Sequence, residues 1–329
     1  MVAETLALGR DYPFIRNIES PLTRDMLRPL DPSCHTVQFS QALTESDYRT
    51  LSDWIGQYPS VTLRAYGSYD GSIRDLDFLR FFPSLHKFSA DALYHSLESI
   101  EGLGHLPESA TLLGLGRTKK KLSLKPLARF TGLRRLYLEG QTKDIDVISD
   151  LTSLRNLTLR SITLPDLTVL QPLTQLRALG LKLGGTRDLT LLPAIGQLDY
   201  LELWMVRGLH DLSSIAGLED LTYLFLQSLK QVTKLPDFSR LTKLQTVWLE
   251  NMKGLTDLSP LLTAPALQKI AVVDMAHLHP EDVGILAKHP ALQQVLPGLG
   301  SNRKNEAVRK LVGVPSGEGW SKPDNLQVD

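Results

Sequence analysis

The sequence has a single cysteine, Cys34, so it cannot form a disulfide within the chain. The first residues, MVAETLALGRDYP, lack the basic start and apolar stretch of a secretory signal, since Glu4 interrupts them early. No apolar run approaches the roughly 20 residues that a membrane-spanning helix needs. These absences predict a soluble protein of a reducing compartment, and we expect it to be cytoplasmic.

An excess of charge is missing too, because Lys+Arg and Asp+Glu both number 36. The composition therefore gives no general attraction to nucleic acid or to an anionic membrane. His86, His95 and His105 lack the spacing of a metal site. The stretch GLGRTKKKL lacks the second glycine and the Ser/Thr of a Walker loop, and no nucleophile elbow is found. We expect no cofactor, no metal and no enzymatic activity.

Leucine, in contrast, recurs at a fixed spacing. Starting from Leu198, the chain places Leu221, Leu244 and Leu267 at steps of 23 residues, and apolar residues follow each start at offsets 3, 5, 8 and 11. The pattern continues backward at steps of 21–25 residues, and a remnant at Leu292 closes it. The earlier starts are Leu85, Ala110, Leu133, Leu154 and Leu176. A period of this length is typical of a solenoid.

Each repeat, which we call a frame, combines two spacings. The stretch L-x-x-L-x-L contains the period of two that predicts a short strand with one buried face. The apolar residues that follow at every third position suit a 3₁₀ turn. One frame cannot bury its leucines alone, so stacked frames must share a core and align their strands in parallel.

The stretch LTKLQTVWLENMKGLTDLSPL resembles the short-repeat branch of the leucine-rich repeat family, found in internalins and in phosphatase-regulating repeat proteins. The resemblance covers roughly residues 80–298. It implies an α/β solenoid with a parallel concave sheet, about nine repeats of 21–25 residues and a helical N-terminal cap. It also implies binding of a protein, in regulation or scaffolding of an enzyme. The family's Asn at offset 8 or 9 is mostly replaced here by apolar residues such as Met252.

Three segments are predicted. Residues 1–60 form an irregular lead-in with a capping strand and a helix over residues 44–57, where Thr44 is a suitable N-cap. Residues 61–298 form the solenoid. Residues 299–329 form a cap helix that begins at Ser301 or Asn302, followed by a flexible Gly/Pro-rich tail that carries Trp320.

Offsets 2, 4 and 6 of each strand alternate with the buried leucines and point to the concave side. They predict two exposed zones that bind a partner. The basic zone, from Leu133 to Leu183, contains Tyr137 and six cations, which are Arg134, Arg135, Arg155, Arg160, Arg177 and Lys182. The aromatic and acidic zone carries Tyr200, Glu202, Trp204, Tyr223, Phe225, Trp248 and Glu250.

Exposed aromatic clusters mark partner sites, and Tyr, Trp and Arg dominate binding hot spots. We therefore expect a monomer that binds a protein with an apolar centre and acidic groups. Neutralisation of a toxin or effector, and RNA or anionic-ligand binding through the arginines, are alternatives. The aromatics could instead stack along the sheet, or the tail could cover them. The basic run Arg117, Lys119, Lys120 and Lys121 has no aromatics near it in sequence, so we interpret it as a solvated loop.

Overall fold

A computed structural model describes residues 14–317, which divide into two units between Val147 and Ile148. In each unit the strands follow chain order and pair in parallel. The first unit contains strands β1 (Ile15–Asn17), β2 (Thr36–Phe39), β3 (Thr62–Tyr66), β4 (Lys87–Asp91), β5 (Leu112–Leu115) and β6 (Arg135–Glu139). Helix α1 (Glu45–Ile55) connects β2 to β3.

The second unit repeats the same plan and ends in helices. Its strands are β7 (Asn156–Arg160), β8 (Ala178–Lys182), β9 (Tyr200–Trp204), β10 (Tyr223–Gln227), β11 (Thr246–Glu250), β12 (Lys269–Val273) and β13 (Gln294–Pro297). Helices α2 (Pro280–Gly284) and α3 (Asn302–Val312) flank β13 in the chain. Each strand from β4 onward begins two residues after its predicted start, as Tyr200 follows Leu198. The predicted register and the parallel pairing of the strands are therefore confirmed.

The core of the second unit consists of the residues that the spacing selects. In the frame that starts at Leu221, every predicted apolar position is at most 7% exposed. A 3₁₀ turn follows most strands, as at Ser213–Gly217 after β9, where an eclipsed spacing of three keeps apolar side chains on one side. Leu226 of β10 and Leu249 of β11 are fully buried and lie opposite each other in the pairing.

Strands β7 to β12 are each followed directly by a left-handed residue at offset 7. Leu183 and Met205 adopt φ of 57° and 49°, although such side chains disfavour this conformation. Each still donates its backbone N–H to the next strand, at 2.8 Å to the carbonyls of Trp204 and Gln227 respectively. The left-handed residue therefore turns the chain away from the sheet and keeps the ladder of hydrogen bonds intact.

The ends of the chain agree with the predicted elements in part. Thr44 caps α1 by accepting the backbone N–H of Asp47 at 3.2 Å, and Ser301 caps α3 in the same way through Lys304. The lead-in, expected to be irregular, contains strand β1. The predicted tail with Trp320 lies outside the described residues. The three segment boundaries and the capping role of the helices stay predictions.

In the part of the chain that the structure describes, no helix combines the length and the hydrophobicity needed to cross a bilayer.

Replacing Leu226 with Ala should lower the free energy of unfolding by about 2–5 kcal/mol, because it opens a cavity in a core shared by neighbouring frames. Denaturant unfolding measures this change. Lys230→Ala, at an exposed position of the following turn, is the control and should change stability by less than about 0.5 kcal/mol. A loss that small at Leu226 would contradict its place in the core.

Candidate interaction surface

Except for Arg155 and Arg177, the predicted site residues of the second unit lie on one face of its sheet, which we call the open face. The face has three rows that follow from the parallel register. The first row is Asn156, Ala178, Tyr200, Tyr223, Thr246 and Lys269. The middle row is Thr158, Gly180, Glu202, Phe225, Trp248 and Ala271. The outer row is Arg160, Lys182, Trp204, Gln227, Glu250 and Val273.

The aromatic side chains of the first two rows stack on one another. The rings of Tyr200 and Tyr223 lie 5.3 Å apart at 16°, and those of Phe225 and Trp248 lie 6.0 Å apart at 27°. Tyr200 and Phe225 are each 2% exposed, and Trp248 is 8% exposed. The expectation of an exposed aromatic cluster is therefore wrong for these three, because rings on adjacent strands cover each other. Their contact with a partner stays a prediction.

Glu202 of the middle row is also buried, contrary to the expectation of an exposed acid. Its Oε2 lies 2.9 Å from Nζ of Lys182 and accepts a hydrogen bond from the Tyr200 hydroxyl at 3.2 Å. The Glu202 side chain is 0% exposed and that of Lys182 is 13% exposed. Burial raises the pKa of the neighbouring Tyr223 hydroxyl well above its ordinary value, and the charge of Glu202 adds to this effect. The open face thus contains an ion pair between a buried carboxylate and a half-buried ammonium group, and the Tyr200 hydroxyl donates to the same carboxylate oxygen.

Glu250 joins the middle row to the outer row. The indole Nε1 of Trp248 donates to Glu250 Oε2 at 3.0 Å, and Nε2 of Gln227 donates to Glu250 Oε1 at 2.5 Å. Both carboxylate oxygens of Glu250 therefore accept a hydrogen bond. The carboxylate fixes the orientation of the Trp248 ring, which in turn stacks on Phe225.

The outer row remains accessible, since all six of its side chains are half-buried. Within it, the Arg160 guanidinium lies over the Trp204 ring at 5.0 Å from the ring centroid. Lys182 stands between them in the register, and its ammonium group is engaged by Glu202. The contact between Arg160 and Trp204 is a cation–π interaction that holds both side chains in a fixed arrangement.

The predicted basic zone is not one surface in this unit. Arg155 and Arg177 are exposed and precede β7 and β8, whereas Arg160 ends β7. Arg155 and Arg160 therefore lie about 16 Å apart along the strand. Arg177 pairs with Asp199, with Nε 3.3 Å from Oδ2, and donates to Gln197 Oε1 at 3.0 Å. Burial raises the pKa of Asp199 even though Arg177 opposes the shift.

The remaining predicted residues belong to the first unit. Arg135 and Tyr137 lie half-buried on β6, and the Tyr137 hydroxyl donates to Glu139 Oε2 at 3.4 Å. The sequence analysis missed Arg64 of β3, which makes a two-point contact with Asp91 at 2.8 and 2.5 Å. Its signal was the alternating stretch TLRAY of β3, in which Arg64 pairs with Ser89, a residue at offset 4 of the frame that starts at Leu85.

No protein-family model matches the chain, and no curated protein sequence matches it. Similar solved structures exist. An internalin, InlF, from Listeria monocytogenes str. 4b F2365 is 19% identical with a TM-score of 0.55, over 87% of this chain and 79% of the internalin. A leucine-rich repeat protein from Leptospira interrogans is 18% identical with a TM-score of 0.50, over 92% of this chain and 96% of that protein.

The chain also resembles TLR13 in the TLR13–ssRNA13 complex, at 15% identity and a TM-score of 0.52. That match covers 88% of this chain and 51% of TLR13. Together these similarities define the class: the chain has the fold of the leucine-rich repeat proteins. The resemblance seen in the repeat LTKLQTVWLENMKGLTDLSPL is confirmed at the level of the fold.

Trp248→Ala should now lower the free energy of unfolding by about 3–5 kcal/mol, as loss of a large buried side chain does. Trp248→Phe should cost much less, because it keeps an aromatic ring against Phe225 while it loses the bond to Glu250. Thermal and denaturant unfolding of both variants measure the difference. A fully stable Trp248→Ala protein would show that the stack is not structural.

Lys182→Met should be destabilising by about 3–5 kcal/mol, because it removes the cation that lies 2.9 Å from the buried Glu202 carboxylate. The double variant Lys182→Met with Glu202→Gln should recover much of this loss, since a neutral amide needs no counter-ion. Unfolding free energies of the two single variants and the double variant complete the cycle. Additive losses would indicate that the two side chains do not act as a pair.

Proposed function

We propose that the chain is a non-enzymatic module that binds a protein partner through the open face of its second unit. The observation that carries the proposal is the half-exposed contact between Arg160 and Trp204. Trp and Arg are the residues most enriched in binding hot spots, and side chains already fixed lose less entropy on binding.

The rest of the outer row fits a protein partner. Besides Arg160 and Trp204 it presents an amide, a carboxylate and an aliphatic side chain, which are Gln227, Glu250 and Val273. A mixed surface of this kind matches an interface with an apolar centre and a polar rim. The partner would place an acidic group near Arg160 and an apolar group against Trp204. Regulation or scaffolding of an enzyme, or neutralisation of a toxin or effector, would all use such a contact, and we place the protein in the cytoplasm as a monomer.

The middle row supports a binding role rather than a catalytic one. Glu202 has its charge compensated by Lys182 and its carboxylate enclosed. Such a group cannot reach a substrate proton, which a general acid or base must do. Glu202 instead fixes the position of the Lys182 side chain in the outer row.

RNA or another anionic ligand is a second candidate, since TLR13 was solved in complex with ssRNA13 and Arg155 of this chain is exposed. The ion pair of Arg177 with Asp199 reduces the positive charge available there. Binding to phosphates would weaken steeply with salt, whereas binding to an apolar protein surface would not.

Trp204→Ala should weaken binding of the captured partner by about 2 kcal/mol or more, the scale of a hot spot, while the melting temperature changes little. Arg160→Ala should act mainly on the association rate and its salt dependence. The measurements are a quantitative pull-down from source cells, followed by binding kinetics and a melting curve for each variant.

Arg207→Ala is the matched control, because Arg207 is an exposed arginine in the turn after β9. It should leave capture unchanged. If Trp204→Ala and Arg160→Ala bind every captured protein as the wild type does, the open face is not the binding surface and the proposal fails.

A further inference from the structure

A basic loop follows β5 in the first unit. Residues 117–121 include four cations within five positions, and Arg117, Lys119, Lys120 and Lys121 are all exposed. Within residues 14–317 none of these four side chains forms an ion pair with a carboxylate. Since the whole chain has equal numbers of acidic and basic residues, this uncompensated charge is a local feature.

The loop has a defined conformation because a buried side chain anchors it. Gln141 is 2% exposed, and its Nε2 donates to Gly116 O at 3.1 Å and to Thr118 Oγ1 at 2.7 Å. Its Oε1 accepts the backbone N–H of Leu122 at 2.9 Å. The amide thus ties both ends of the loop to the following frame. This is the polar bonding that the sequence analysis found to be mostly missing at offset 8, and here it supports the basic loop.

Aromatic side chains do lie beside the loop, contrary to the interpretation from sequence. The Arg117 guanidinium sits over the Tyr94 ring at 5.4 Å, and the backbone N–H of Lys119 donates to Tyr94 O at 2.9 Å. His95 meets the Tyr94 ring edge-on at 4.8 Å. Tyr94 is 36% exposed. Tyr94 and Arg117 are separated by one frame in sequence but are in contact in the fold. The sequence around the basic run alone therefore does not reveal the aromatic ring.

We propose that the basic loop and Tyr94 form a binding site for single-stranded nucleic acid. The lysines would neutralise backbone phosphates, and the tyrosine with its stacked guanidinium would receive an unpaired base. Single-strand binders combine these two elements, a cationic track and an aromatic platform. A duplex would offer the phosphates but no free base face. An acidic peptide would use the lysines and leave the ring without a role.

The site is separate from the open-face residues of the proposed function, so either proposal can fail alone. The test measures fluorescence anisotropy of a labelled single-stranded RNA of about 12 nucleotides, within the range of known single-strand sites. A duplex of the same length and a polyglutamate peptide are titrated in parallel. Salt is varied from about 50 to about 200 mM, where phosphate contacts lose affinity most visibly.

The wild type should bind the single strand more tightly than the duplex or the peptide. The variant with Lys119, Lys120 and Lys121 all changed to Ala should bind at least about tenfold more weakly and show a shallower salt dependence. Tyr94→Ala should weaken binding by about tenfold, whereas Tyr94→Phe should retain it, because the stacking face remains.

Three controls locate the effect. Tyr69→Ala removes a tyrosine that is 93% exposed in another turn of this unit, and it should have no effect. The triple change of Lys230, Lys234 and Lys253 to Ala removes the same charge from the second unit and should also be neutral. Arg160→Ala would weaken binding only if RNA used the open face.

Several results would overturn the proposal. They are no binding of the single strand at the lowest salt, equal or tighter binding of polyglutamate, and full binding by the Lys119/Lys120/Lys121 variant. Equal loss in Tyr94→Ala and Tyr94→Phe would also remove the stacking role. Circular dichroism melts of each variant establish that the measured protein is folded.

Discussion

No frame of this chain can bury its own leucines, and every other feature depends on that constraint. A frame of 23 residues such as 221–243 presents one row of apolar side chains, which becomes a core only when the next frame covers it. The strands must then run in parallel with one residue opposite one residue, as Leu226 lies opposite Leu249. Because the register is fixed, each strand residue lies beside the residues at the same offset of the preceding and following frames.

This is why the strands could be predicted from sequence. A shift of one residue would place leucines such as Leu224 and Leu226 on the solvent side, so the hydrophobic pattern fixes the register strongly. The same pattern contains no information about how much of a side chain on the open face remains exposed. Exposure there depends on the size of the neighbour across about 4.8 Å, and Phe225 beside Trp248 is covered where a smaller neighbour would leave it open.

Polar side chains of the candidate site were harder to predict for a related reason. The sequence pattern predicts that Glu202 is an exposed surface acid. In the structure, Lys182, at offset 6 of the preceding frame, supplies its counter-ion. The chain of bonds from Gln227 through Glu250 to Trp248 likewise joins two frames. Such pairs are separated by about one repeat in sequence. They become visible only when the frames are aligned as rows, and even then the rotamers must be known.

The rows of the open face in the second unit consequently differ in what they contribute. The rings of Tyr200, Phe225 and Trp248 and the carboxylate of Glu202 are buried, so they fix the surface but offer little area to a partner. The outer row is half-exposed and rests on that layer, with Arg160 held against Trp204. A binding site gains affinity when its contact residues are pre-organised by supporting side chains that do not move. Burial distinguishes two roles for the aromatic residues of this face: the buried Trp248 stabilises the sheet, and the half-buried Trp204 is the residue that we propose contacts a partner.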